Sequence, residues 1–188
     1  MKALLLDWDG TLYDSTKFWD DLPYLYLHSK QIQPEEGLSA ILESMTLDES
    51  VIYLRSHYDC TITKSDLVCF MEQTYMHSIS WIEGAKNLLK KAYNQNISVF
   101  IVTIGEKELI QKILQDANLA YVVQDIVSGS KNTLKMYDKI LEKYSYQKED
   151  CLVMDDNEDV VELLHENGWM VQQYKDGIKI DDFFKNYL

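Results

Sequence analysis

Short apolar runs and longer stretches of helical period alternate along most of the chain. Each apolar run ends at a polar residue and predicts a buried strand; these runs cover residues 2–7, 97–103, 124–128 and 151–155, with 169–173 as a last strand. Helical periodicity covers 85–94, 107–117, 132–144 and 158–166, and predicts a terminal helix at 181–188. Strands that alternate with helices predict an α/β fold, a parallel sheet with helices on both faces.

One long region departs from this alternation. Residues 15–81 place apolar side chains at helical spacing without an apolar strand run, as at Leu38, Ile41, Leu42 and Met45. We therefore predict a small all-helical subdomain over 15–81, inserted into an α/β core domain formed by 1–14 and 82–188.

Composition and charge narrow the classes of partner. The formal net charge is −13 and Arg55 is the one arginine among 188 residues, which argues against a nucleic-acid partner. No apolar run approaches the roughly 20 residues of a membrane span, and a carboxylate at position 7 interrupts the start too early for a signal peptide. The sequence thus predicts a cytoplasmic protein with no membrane partner. Three cysteines without metal-ligand spacing indicate neither a disulfide framework nor a zinc site, and the oligomeric state stays open.

Two acidic residues follow the first predicted strand. Asp7 and Asp9 flank Trp8, and in an extended segment residues two apart face the same way, so both carboxylates can point into one crevice. Two buried carboxylates repel and require a cation. Gly10 permits a sharp turn, and Thr11 offers a hydroxyl and an amide. Taken alone, this pair of acids is more typical of a solvent-exposed Asp-Gly turn.

A second acidic cluster follows the strand at 151–155. It contains Asp155, Asp156, Asn157, Glu158 and Asp159, at the predicted start of a helix. One acid there would serve as a helix cap, but four acids in five residues indicate a hard cation such as Mg²⁺, which prefers oxygen ligands. Asp155 is the first ligand candidate and Asp159 the second.

Read together, these motifs resemble the haloacid dehalogenase superfamily, and specifically phosphoglycolate phosphatase-like members with a helical cap of the C1 type. The segment from Asp7 to Leu12 fits the first motif, Thr103 the second, Lys131 the third, and Asp155 with Asp159 the fourth. The four motifs occur in the family's order and together span nearly the whole chain. The resemblance implies a Rossmann-like three-layer α/β/α parallel sheet core with the cap inserted after the first strand.

The resemblance also implies residue roles. Asp7 would attack phosphorus to form an aspartyl-phosphate, and Asp9 would act as the general acid and base. Mg²⁺ would be held by Asp7, the main-chain carbonyl of Asp9, and Asp155. Thr103 would donate a hydrogen bond to a phosphate oxygen, and Lys131 would neutralise the nucleophile and the transferring group.

The implied substrate is a small phosphorylated metabolite, hydrolysed as a phosphomonoester. The family branch that cleaves carbon–halogen bonds does not need the acid at Asp9, so its presence favours phosphate chemistry. Lower-ranked candidates for substrate contact are Gly10, Thr11, Ile104, Gly105, Arg55 and Asp159.

Several alternatives stay open at this point. Lys131 is followed by Asn132 where many relatives have proline, so Lys135 is a second candidate for the motif lysine. Met154 replaces a common glycine, and Asp156 adds a carboxylate that could alter metal binding. A phosphomutase of the same fold, or a non-catalytic binding or regulatory member, is the alternative function. A metal-dependent glycosyltransferase would leave Thr103 and Lys131 unexplained.

Overall fold

The computed structural model describes residues 1–42, 45, 47–58, 61–131, 133–175 and 180. They form two compact units, one made of Met1–Asp14 and Ser80–Leu188, the other of Ser15–Ile79. The predicted terminal helix at 181–188 and Asn132 lie outside the described residues. Within the described part of the chain, no helix combines the length and apolar character needed to cross a membrane.

The first unit is built on a parallel sheet. The strands of the described residues are β1 (Ala3–Leu6), β2 (Tyr13–Asp14), β3 (Ser80–Trp81), β4 (Ser98–Thr103), β5 (Val123–Ser128), β6 (Cys151–Asp155) and β7 (Met170–Gln173). Five of them form the sheet in the order β5-β4-β1-β6-β7, and all neighbours are parallel. Leu6 at the end of β1 pairs with Ile101 on one side and Met154 on the other. The residues that follow these three strands therefore meet at one edge, where open α/β sheets bind their ligands.

Helices cover the sheet. The described α-helices are α1 (Thr16–Ser29), α2 (Leu38–Leu42), α3 (Leu47–Tyr58), α4 (Lys64–Ser78), α5 (Ala85–Asn94), α6 (Lys107–Asp116), α7 (Lys135–Tyr144) and α8 (Glu158–Glu166). On one sheet face, Leu5 packs in a buried cluster with Tyr137 of α7 and Leu164 of α8. Leu4 and Leu6 point to the other face. On the flank of β1 that carries β4 and β5, α5 contacts β4 and α6 contacts β5.

The structure confirms the predicted α/β fold, with small differences at the ends of elements. The strand predicted at 124–128 begins at Val123, and the helix predicted from 132 begins at Lys135. The short antiparallel pair β2-β3 was not predicted, because two residues are too few to show a period of two. In it Tyr13 pairs with Trp81, so residues 80–81, which the sequence analysis assigned to the insertion, belong to the first unit.

The second unit contains the helices α1 to α4. Its interior is aromatic: the rings of Phe18 and Tyr75 pack edge to face at 5.1 Å, and Tyr26 packs on Phe70 at 5.2 Å. Such pairs are favoured over a face-to-face sandwich by the ring quadrupole. At the start of α4, Thr63 and Asp66 form a reciprocal capping box, which satisfies two otherwise free amides.

Candidate active site

Asp7 lies directly after the central strand and is buried. Its main-chain N–H donates to the carbonyl of Met154 at 2.9 Å, which extends the pairing of β1 with β6 by one residue. The Lys131 Nζ contacts Asp7 Oδ1 and lies 2.7 Å from Asp155 Oδ2, and all three side chains are at most 9% exposed. Lys131, rather than the exposed Lys135, is therefore the lysine beside the two carboxylates.

The site holds more negative than positive charge. Burial raises the pKa of Asp7 well above its ordinary value; the Lys131 charge opposes this shift, and the Asp155 charge adds to it. Burial likewise raises the pKa of Asp155, again against Lys131. Burial alone would lower the pKa of Lys131, but the two carboxylates outweigh it and raise that pKa. Buried carboxylates with raised pKa values, next to a single lysine, are typical of a site that can bind a further cation.

A third carboxylate joins this cluster. One oxygen each of Asp7, Asp155 and Asp156 lie within 4.8 Å of one another. Asp159, the second ligand candidate from the sequence, is instead exposed in the first turn of α8 and is not part of this cluster. The sequence analysis noted Asp156 only as an added carboxylate. A usable signal was Asn157, which caps α8 and so keeps the preceding residue in the loop at the sheet edge.

Gly10 has a backbone conformation that favours glycine, and it lies against the side chain of Asp156. Gly10 has φ +77°, and a Cβ placed on it would stand 2.3 Å from Asp156 Oδ2, far inside contact distance. The neighbouring Thr11 hydroxyl lies 3.3 Å from Asp7 Oδ2 and can donate to it. The turn after β1 therefore brings the second acidic cluster against the first.

Trp8 anchors the segment between the two acids of the first motif. It is fully buried, stacks on Tyr13 at 5.2 Å and meets Trp81 edge to face at 5.3 Å. The Trp8 carbonyl also accepts main-chain hydrogen bonds from Leu12 and Tyr13, both at 2.9 Å. Truncating a buried tryptophan to alanine costs about 3–5 kcal/mol, so this residue holds the turn firmly. No pattern in the sequence predicted this role for Trp8.

The loop after β4 forms another wall of the site. Thr103 is buried, and its Oγ1 accepts a hydrogen bond from the Gly105 N–H at 2.9 Å. A Cβ on Gly105 would lie 3.2 Å from Thr103 Oγ1 and 3.3 Å from Asp9 Oδ2, so Gly105 allows both oxygens to approach closely. Ile104 is 73% exposed. Asp7, Asp9, Thr103, Lys131 and Asp155, the residues ranked first by sequence, thus all lie at the carboxyl edge of the sheet.

Arg55 lies in the second unit. Its Nε donates to the main-chain carbonyl of Ile62, which gives it a bond within that unit. A contact between Arg55 and substrate stays a prediction.

A sequence model described as haloacid dehalogenase-like hydrolase matches residues 4–164, most of the chain. The chain belongs to the haloacid dehalogenase-like hydrolase family. The predicted family is confirmed. Among curated proteins, no sequence match reaches significance.

Solved structures of low identity share the family fold. A Thermotoga maritima protein assigned as a β-phosphoglucomutase has a TM-score of 0.79 at 16% identity, over 100% of both chains. YfnB from Bacillus subtilis, in a magnesium-bound crystal, has a TM-score of 0.75 at 19% identity, over 97% of this chain and 96% of its own. A variant of CbbY from Rhodobacter sphaeroides, in complex with xylulose-(1,5)bisphosphate, has a TM-score of 0.70 at 14% identity, over 93% and 87%. At these identities the likeness concerns the fold.

Proposed function

We propose that this member of the family is a magnesium-dependent phosphatase that hydrolyses a small phosphomonoester through an aspartyl-phosphate on Asp7. The observation that carries the proposal is the buried contact of Asp7 with Lys131, beside Asp155 and Asp156, at the end of the central strand. A buried carboxylate next to a lysine and further acids suits attack on phosphorus, because the attacking and attacked groups are both anionic and need fixed cations.

The donor set fits Mg²⁺. Three carboxylates against one ammonium leave two negative charges among Asp7, Asp155, Asp156 and Lys131, and hard oxygen donors are the ligands that Mg²⁺ prefers. Asp7, Asp155 and Asp156, with the main-chain carbonyl of Asp9, would hold the ion. When bound, the ion would supply the positive charge that lets Asp7 ionise and that screens the phosphoryl oxygens.

In the first step, a carboxylate oxygen of Asp7 attacks phosphorus and the ester P–O bond breaks. The leaving oxygen takes its proton from the carboxyl group of Asp9, which is less buried than Asp7 and lies beside Gly105. Lys131 and the Thr103 hydroxyl stabilise the charge on the transferring group.

In the second step, the carboxylate of Asp9 takes a proton from water, and the water oxygen attacks phosphorus. The bond between phosphorus and Asp7 breaks, which releases inorganic phosphate and restores the carboxylate. The phosphomutase alternative shares the aspartyl-phosphate but transfers the group to a sugar hydroxyl. The Thermotoga maritima protein, assigned as a β-phosphoglucomutase, has the same fold, so a phosphomutase is the second candidate function.

Phosphate release from an aryl phosphate tests the proposal. We expect release with Mg²⁺, none with EDTA, and loss of at least about a thousandfold in Asp7→Asn, since removal of a nucleophile leaves little turnover. The exposed Asp116→Asn variant, which removes the same charge from α6, should keep wild-type activity.

Full activity of Asp7→Asn would overturn the nucleophile assignment. No release by the wild type from a panel of phosphorylated metabolites would overturn phosphatase activity. Formation of an isomeric sugar phosphate without free phosphate would favour the phosphomutase.

A further inference from the structure

Ser128 ends the strand next to Thr103. It pairs with Thr103 in the register of β4 and β5, one residue before the chain turns towards Lys131. Its Oγ donates to the main-chain carbonyl of Gly105 at 2.6 Å. An exposed serine at the end of an edge strand thus contacts the loop that directly follows Thr103.

Gly105 links Ser128 to Thr103, because its carbonyl bonds the first side chain and its N–H bonds the second. The Gly105 N–H donates to Thr103 Oγ1 at 2.9 Å, and the Gly129 N–H donates to the Thr103 carbonyl at 3.0 Å. Because Thr103 Oγ1 accepts from Gly105, the hydroxyl proton remains available to donate to a phosphate oxygen. The orientation of the Thr103 hydroxyl therefore depends on the position of Gly105. Ser128 holds Gly105 in place through its main-chain carbonyl.

The same strand also holds the far end of the loop. Lys107, the first residue of α6, places its Nζ 3.2 Å from Asp125 Oδ1 on β5. The three-residue loop between Thr103 and Lys107 is thus tied to β5 at two points: Ser128 bonds its middle residue, and Asp125 pairs with Lys107 directly after it.

We propose that Ser128 is a positioning residue for phosphate binding, acting through Gly105 on the hydroxyl of Thr103. The inference rests on the proposed phosphatase function and extends it to a residue outside the four motifs. Without the Ser128 hydroxyl, the Gly105 carbonyl loses its side-chain donor and the residue is held less firmly. The Gly105 N–H then no longer keeps the Thr103 hydroxyl in one orientation. Phosphate binding weakens in both the ground state and the transition state, because both use the same donor.

The test is competitive inhibition by inorganic phosphate, measured with an aryl phosphate as substrate. We expect Ser128→Ala to raise the inhibition constant of phosphate, and to lower kcat/KM, by about three- to tenfold, the worth of one net hydrogen bond. The Mg²⁺ concentration for half-maximal activity should not change. Ser128→Thr keeps a hydroxyl and should restore both values.

Ser98→Ala is the matched control. Ser98 begins the strand that Thr103 ends, and its Oγ accepts a hydrogen bond from Tyr146 at 2.9 Å. This variant also loses one side-chain hydrogen bond, but it leaves the loop unchanged, so its inhibition constant should stay at the wild-type value.

A wild-type inhibition constant in Ser128→Ala, or a Ser128→Thr variant as weak as Ser128→Ala, would overturn the positioning role while leaving the phosphatase assignment standing. A wild type without turnover would overturn the proposed function instead. Calorimetric binding of inorganic phosphate to wild type and Ser128→Ala would then still decide whether Ser128 orients the loop.

Discussion

Two aspartates of the α/β unit both contact lysines, yet their pKa values shift in opposite directions. For Asp7, burial dominates and raises the pKa, with Lys131 shared between it and Asp155. For Asp125, burial would also raise the pKa, but hydrogen bonds from Lys143, Lys107 and Tyr144 outweigh it and hold the pKa well below its usual range.

The difference lies in the ratio of donors to carboxylates. Asp125 accepts from two lysines and a tyrosine at 2.8 to 3.2 Å, so its charge is fully matched and it joins β5 to α6 and α7. Asp7 shares a single lysine with a second acid, and a third acid stands nearby. A saturated carboxylate stabilises the fold, whereas an unsaturated one retains the capacity to bind a cation and react.

Removing one lysine from each site gives the largest expected contrast. Lys131→Met should lower phosphatase activity by about a hundred- to thousandfold, since a fixed charge on the transferring group is lost. It should also lower the free energy of unfolding of the metal-free protein by about 3–5 kcal/mol, because buried carboxylates lose their partner. Lys143→Met, at a lysine 56% exposed, should lower the free energy of unfolding far less than Lys131→Met and leave activity unchanged. Steady-state kinetics and urea denaturation of both variants check this, and equal effects would erase the distinction between the two sites.

Removing the third carboxylate sharpens the comparison. Asp156→Asn should raise the Mg²⁺ concentration for half-maximal activity by at least about tenfold, because a candidate ligand loses its charge. Glu162→Gln removes the same charge from the exposed face of α8 and should have no such effect. Magnesium titration by calorimetry on both variants provides a readout independent of turnover. Unchanged affinity in Asp156→Asn would exclude this residue as a ligand.

The smallest expected effect concerns the pH dependence at Asp125. A carboxylate whose pKa is lowered on folding stabilises the protein above its ordinary pKa of 3.8, and this contribution is lost as the pH falls through the folded value. Asp125→Asn should therefore be less stable than wild type by about 1 kcal/mol at pH 7, given the partly exposed lysines. The difference should shrink steadily below about pH 4. Urea midpoints across this range, with Asp116→Asn as control, test the sign; a gap that widens in acid would contradict it.

The sheet and much of the site could be predicted from the sequence for one physical reason. Parallel strands buried on both faces are continuous apolar runs, and their carboxyl ends must meet at one edge. Asp7, Thr103 and Asp155 each close such a run, so their proximity follows from the topology. Lys131 is in a loop without periodicity, and only its motif spacing identified it.

Other features of the site depend on turns and on contacts between distant residues, which hydrophobic periodicity does not reveal. Asp156 rather than Asp159 joins the carboxylate cluster because of the turn after β6. In that turn the Asn157 N–H donates to Asp155 Oδ1 at 3.0 Å. The support under the first motif comes from the packing of Trp8 and Tyr13 on Trp81, which is far from them in sequence. Ser128 acts through a main-chain carbonyl, which no side-chain pattern reveals.

The contact of Gly10 with Asp156 also couples the effects of substitutions at two positions that are far apart in the chain. Any side chain at position 10 would collide with the Asp156 carboxylate, and the positive φ adds a cost of its own. A smaller residue at position 156 would relieve the collision but leave the backbone strain. Substitutions at these two sites are therefore not additive, because the penalty of a side chain at position 10 depends on which residue stands at position 156.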